Sequence, residues 1–172
     1  MATSSELKRW GRQFIREVMN AHDCANLERW VHADIRLHDT VPDHADGIEG
    51  LRARFEEQWA AFPDIYATID VEVAEDPMLV TRLTQTGTHT GNFRDVPASG
   101  NTVSYQEIHI VRIVDHLCVE HWDVINSGHL LQQIGAIPDE LPHPMYHDEE
   151  VAGVWWRAVL GRSASHRRSR RA

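Results

Sequence analysis

The chain has 172 residues, a formal charge of −9, 42% apolar and 25% charged residues, and only seven prolines and ten glycines, the composition of one globular domain with a single sizeable core. No run of about 18 apolar residues could span a bilayer, and the opening MATSSELKRWGRQF lacks the apolar stretch of a secretory signal, so the expected compartment is the cytoplasm. The last eleven residues, RSASHRRSRRA, hold five arginines and no acid, which leaves −14 on the rest of the chain. An acidic body argues against a nucleic-acid surface, the basic tail has an RNA- or membrane-touching arm as its alternative reading, and neither nucleic acid nor membrane is the expected partner.

In chain order, residues 4–21 place Leu7, Trp10, Phe14, Ile15 and Val18 at helical spacing behind Ser4 or Ser5 as N-cap. A second short helix is expected over 23–33, with Leu27, Trp30 and Val31 on its apolar side. IRLHD (35–39) alternates as a strand and ends at TVPDHADG. GIEGLRARFEEQWAAF (47–62) is the clearest helix, with Leu51, Phe55, Gln58 or Trp59, and Phe62 on one face, stopped by Pro63. The period then changes. Segments 65–76, 78–90, 102–115 and 117–125 read as strands, with short connections at Asp76-Pro77 and Asp115-His116. A short helix carries Leu130, Leu131 and Ile134. Residues 139–150 read as loop, a possible cover for a pocket mouth, 151–160 as a terminal helix, and 161–172 as a basic, disordered solubilising tail. One domain over 1–160 is expected.

Helices first and a strand meander afterwards predict an α+β fold. The expected form is a cone-shaped α+β barrel, a strongly curved antiparallel or mixed sheet wrapped over the N-terminal helices around an internal pocket. Strand residues two apart share a face. In 102–115 the odd face reads Val103, Tyr105, Glu107, His109, Val111, Ile113; in 117–125 it reads Leu117, Val119, His121, Asp123, Ile125. A hairpin at 115–116 sets 107 beside about 124 and 109 beside about 122. Glu107, His109, His121 and Asp123 then meet inside an apolar frame, as an acid/base site would. On the residues alone three other readings of the quartet stay open: a charged outer face, a satisfied structural network, or a zinc or non-haem iron site.

Around this quartet, His38, His89, Tyr105, Trp59 and Phe62 are candidate substrate contacts, with a surface, turn or core role open for His38, His89 and the two helix aromatics. Cys24 and Cys118 are far apart and unpatterned, fitting neither a disulfide framework nor a zinc site. The even strand faces, with Ile108, Ile110 and a ladder of threonines at 84, 86, 88 and 90, suit a sheet-to-sheet homodimer or a homotetramer.

From about His38 to Pro138 the chain resembles the SnoaL-like polyketide cyclases of the nuclear-transport-factor-like superfamily. The resemblance is carried by GIEGLRARFEEQWAAFPDI, GTHTGNF followed by VPASGNTV, IHIVRIVD, VEHWDVIN and LLQQIGAIP, in that order. It implies an enzyme without cofactor or metal that closes a ring in a polyketide-like small molecule by intramolecular aldol chemistry. The family's acid/base aspartate falls on Asp123, with histidines on His121 and His109. Glu107 stands where family cyclases often carry glutamine. The superfamily also hosts hydroxylases, isomerases, pericyclic cyclases and epoxide-opening enzymes, so the reaction is left underdetermined. An epoxide hydrolase would want an Arg-x-Asp pair, which neither Arg94-Asp95 nor Arg112 with Asp115 supplies. A non-catalytic small-molecule binder or dimer scaffold is the rival from another class; an apolar binder gains nothing from burying four ionisable groups.

Overall fold

The computed structural model describes residues 2–38 and 45–138. The loop, helix and tail expected over 139–172 lie outside the described residues, as does Asp39. Helix α1 (Ser4–Phe14) starts one residue earlier than its serines suggest: Thr3 accepts from the Glu6 amide while the Glu6 carboxylate accepts from the Thr3 amide, a reciprocal cap that satisfies two otherwise open donors. It runs into a π-helical turn (Ile15–Met19) and a 3-10 turn (Leu27–Arg29). The helix expected over 23–33 is not formed. Trp30 closes the 3-10 turn and Val31 opens strand β1 (Val31–Leu37), because Val31 pairs with Cys118 of the last strand and the ladder overrides a weak local pattern.

Helix α2 (Gly47–Ala61) is capped by Asp46, whose carboxylate accepts from the Gly47 amide at 2.9 Å and the Leu37 amide at 3.2 Å, tying the helix start to the end of β1. Strands β2 (Tyr66–Glu75), β3 (Met78–Thr88), β4 (Thr102–Val114) and β5 (Leu117–Ile125) follow, then α3 (Ser127–Gln133). The β4–β5 turn places both Asp115 (φ 49°) and His116 (φ 67°) in the left-handed region, the twist that joins two strands most tightly.

The five strands lie in the order β1-β5-β4-β3-β2. β1 joins parallel to β5 and the other neighbours are antiparallel, so the α+β class is as expected and the sheet is mixed. The sheet is nevertheless open, with β1 and β2 as edges, and it neither closes nor curls strongly. The cone-shaped barrel is therefore replaced by one sheet face covered with helices. Four core clusters are found among the described residues, and the two largest frame the helix-covered face. One gathers Val18, Leu27, Trp30, Ile35, Leu51 and Cys118 around β1 and α2. The other gathers Phe62, Ile65, Val103, Tyr105, Leu130 and Leu131 around α3. α1 packs so closely on β3 that a Cβ at Gly11 would stand 2.7 Å from Leu79 Cδ2. The outer face leaves Tyr66, Val71, Val73, Ile108 and Val124 exposed.

Candidate active site

Strand parity fixes which side chains of β4 turn inward, and it does so without interruption: Val103, Tyr105, Glu107 and Ile113 are all buried. β5 is different. Arg112 pairs with Glu120, but Ile113 already pairs with Cys118, so Val119 is an extra residue in a bulge. The bulge reverses parity: Cys118 faces inward before it, and His121 and Asp123 face inward after it. Leu117 and Val119 do not belong to the inner face expected for them. The register past the bulge sets His109 directly opposite Asp123, Val111 opposite His121 and Glu107 opposite Ile125, one residue from the expected pairing and enough to bring the quartet together.

Glu107 is 4% exposed. A buried carboxylate costs several kcal/mol unless donors replace its water, and here Oε2 accepts from Gln85 Nε2 at 3.0 Å and His109 Nε2 at 3.1 Å. The other ring nitrogen of His109, Nδ1, lies 2.9 Å from His121 Nε2, and the two rings stack 5.2 Å apart. For His109, burial opposes the charged form, but the Glu107 hydrogen bond and the charges of Glu107 and Asp123 outweigh it and raise the pKa above the ordinary histidine value. For His121, burial, followed by the charges of His109, Arg54 and His38, holds the pKa well below that value. The two shifts run in opposite directions and favour a proton on His109 over one on His121. His109 Nδ1 and His121 Nε2 share one proton between them, and the other ring nitrogen of His121, Nδ1, is buried without a hydrogen-bond partner among the described residues.

These groups form the polar part of a partly open cavity of about 380 Å³, whose walls are otherwise mainly apolar, including Phe14, Phe55, Leu83 and Leu130. From α2, Arg54, Glu57 and Gln58 face it at helical spacing. Gln58 Nε2 donates to Tyr105 Oη at 2.9 Å, and burial, then the Glu107 charge, pushes the Tyr105 phenol up. The Cys118 thiol, also on the wall, is pushed up to about 12 by burial, so it is no nucleophile at neutral pH. Among the described residues no group of three or more His, Cys, Asp or Glu side chains is placed to hold a metal ion.

Of the five side chains expected to contact substrate, only Tyr105 lines the cavity. His38 lies on the other face of the sheet, its Nε2 2.8 Å from Glu120 Oε2 and its ring stacked 4.2 Å from Trp122. His89 is fully buried beside Phe62, its Nδ1 accepting from the Ser99 amide at 3.2 Å. Phe62 is core, at 0% exposure, and Trp59 stacks between His22 and Phe55 behind the cavity wall. The sequence reading missed Gln85 and Arg54. Gln85 was legible as a polar residue on the inner parity of β3, after Leu79, Thr81 and Leu83; Arg54 follows from its four-residue spacing to Gln58.

The SnoaL-like polyketide cyclase family model matches residues 11–134, and the chain belongs to that family. Among solved structures it is similar to TsrD from Streptomyces laurentii, at 30% identity and a TM-score of 0.71 over 80% of this chain and 100% of that one. AclR from Streptomyces galilaeus, for which a hydroxylase role has been suggested, is 30% identical with a TM-score of 0.69 over 79% of this chain and all of its own. IdmH from Streptomyces antibioticus, for which a polyketide cyclase role has been suggested, is 25% identical with a TM-score of 0.65 over 76% and 99%. No curated protein matches the chain. Among the described residues no helix is long and apolar enough to cross a membrane.

Proposed function

We propose that this protein closes a ring in a polyketide-type intermediate by intramolecular aldol chemistry, with its own side chains as acid and base. The observation that carries this reading is Asp123, set directly opposite His109 on the wall of a partly open, mainly apolar cavity. Ionised Asp123 takes a proton from a carbon α to a carbonyl and becomes the acid. The enolate carbon attacks a second carbonyl of the same molecule, forming the carbon–carbon bond, and the new alkoxide takes the proton back. A general base so placed is worth about 10²–10⁴ in rate, and the cavity contributes further by holding both carbons of one folded chain together. A proton on His109, favoured by its raised pKa, faces the charge that shifts from Asp123 to the enolate.

The test is solvent-deuterium uptake by a panel of β-keto polyketide esters, wild type against Asp123→Asn. Asp123-dependent exchange at the α-carbon with ring-closed product supports the reading. No exchange, with tight product binding, would point to the binder instead. The likeness to AclR favours a second reading, hydroxylation at the same carbon, and oxygen consumption during turnover separates the two.

A further inference from the structure

Both nitrogens of His109 are engaged within the protein, one by Glu107 and one by His121. Contact with a substrate oxygen would require breaking one of these bonds. Asp123, when ionised, only accepts. A buried donor left without an acceptor costs about 1–3 kcal/mol, and His121 Nδ1 is such an atom, on a ring that itself lines the cavity. We infer that the Glu107–His109–His121 chain locks His121 as a Nδ1–H donor, and that this N–H binds the carbonyl oxygen whose α-proton Asp123 removes. This rests on the cyclase reading and gives it a substrate class: an enolisable ketone or 1,3-dicarbonyl presenting oxygen to His121 and its α-carbon to Asp123.

The chemistry of the chain explains why the tautomer is fixed. Glu107 is an acceptor only, so His109 Nε2 must donate to it. Buried carboxylate and imidazolium then neutralise one another, with Gln85 filling a further acceptor position on Oε2. With His109 protonated on both nitrogens, its Nδ1 donates in turn, His121 Nε2 accepts, and the one proton left to a neutral His121 is on Nδ1. With glutamine at 107 the relay has no anion to anchor it, and either tautomer of His121 is open. The charged groups around His121 act in the same sense. His109 from β4, Arg54 from α2 and His38 after β1 all disfavour a second proton on it, while Asp123 of β5 supports the cation on His109. His121 and Asp123 are two residues apart on one strand face, about 6.6 Å along the chain, a gap that an O=C–C–H unit spans with one close contact at each end. His109 acts through His121 and is a positioning residue.

The states of the histidines are read directly by two-bond ¹H–¹⁵N correlation spectra of histidine-labelled protein, assigned with His109 and His121 variants. At pH 7 the wild type is expected to show His109 protonated on both nitrogens and His121 as the Nδ1–H tautomer. Glu107→Gln is expected to return His109 to the neutral form and release the His121 tautomer. Finding the Nε2–H tautomer of His121 in the wild type, or a His109 cation that survives Glu107→Gln, overturns the relay. The oxygen contact is tested with 2-naphthol and substituted phenols as planar enolate-like probes. Saturation is expected to move the His121 Nδ1–H resonance, and His121→Phe to weaken binding about tenfold, with His121→Gln recovering part of it. Absence of binding at millimolar probe, or binding that leaves this resonance unmoved, overturns the donor role. The histidine states are measured in the free protein, so they stand or fall separately from deuterium exchange, which tests the cyclase reading itself.

Discussion

Two histidine–carboxylate pairs occupy opposite faces of the same part of the sheet. On the inner face His109 meets Glu107 at 3.1 Å; on the outer face His38 meets Glu120 at 2.8 Å. The residue types match and the distances nearly do. The surroundings differ: the Glu107 side chain is 4% exposed and Glu120 is 21% exposed, with Arg112 of the neighbouring strand also on its carboxylate. Outside, hydrogen bonds from His38 and Arg112 pull the Glu120 pKa down, as for an ordinary surface ion-pair network. Inside, the carboxylate is buried, and the pair is coupled to a second histidine and an opposing aspartate. A pairwise contact therefore says little about function; what the pair is coupled to, and what it is shut away from, says more.

Substitution on the inner face sharpens this contrast most. Asp123→Asn is expected to lower α-carbon deuterium exchange by about 10²–10⁴ while the circular dichroism spectrum is unchanged. Exchange within a few fold of wild type would remove Asp123 from the chemistry. His121→Phe, which deletes one oxyanion donor, is expected to lower turnover by about 10²–10³, and an unaffected rate would return the oxyanion contact to another group.

The pH dependence of stability comes next in size. His109 has its folded pKa raised and His121 has its own depressed. Below the unfolded histidine value near 6.5 the unfolded chain binds two protons at these sites and the folded chain one, so stability rises with pH. Above it the unfolded chain binds none and the folded chain keeps one until the raised pKa of His109, so stability falls. The pair thus contributes a maximum near pH 6.5, visible in urea melts. Glu107→Gln is expected to remove the falling, alkaline limb; a wild-type profile without that limb would show His109 to be neutral. The smallest effect belongs to the outer face. Glu120→Gln is expected to leave turnover unchanged. Any stability it loses is at its full size above the unfolded glutamate value near 4.5 and vanishes as pH falls through the depressed folded pKa. Loss of turnover in this variant would break the distinction between the two faces.

Much of this was legible in the chain itself. The two-residue alternation of β4 placed Tyr105, Glu107, His109 and Ile113 on one side of their strand, because pleat geometry is set by covalent structure and no neighbour can change it within an unbroken strand. The apolar periods of α1 and α2 and the turn residues at Asp115-His116 likewise acted locally. Tertiary structure decided the remainder. The bulge at Val119 reset which β5 residues face inward, and it lies where β5 pairs with β4 on one side and with β1, in parallel, on the other. That parallel pairing drew Val31 out of an expected helix and carried His38 to the outer face. The openness of the sheet was equally beyond the sequence pattern, since alternation fixes the face a residue takes but not whether the two edges meet. Whether His109 is a cation depends on sums over burial and charge from three strands and a helix, and no spacing along one chain contains those distances.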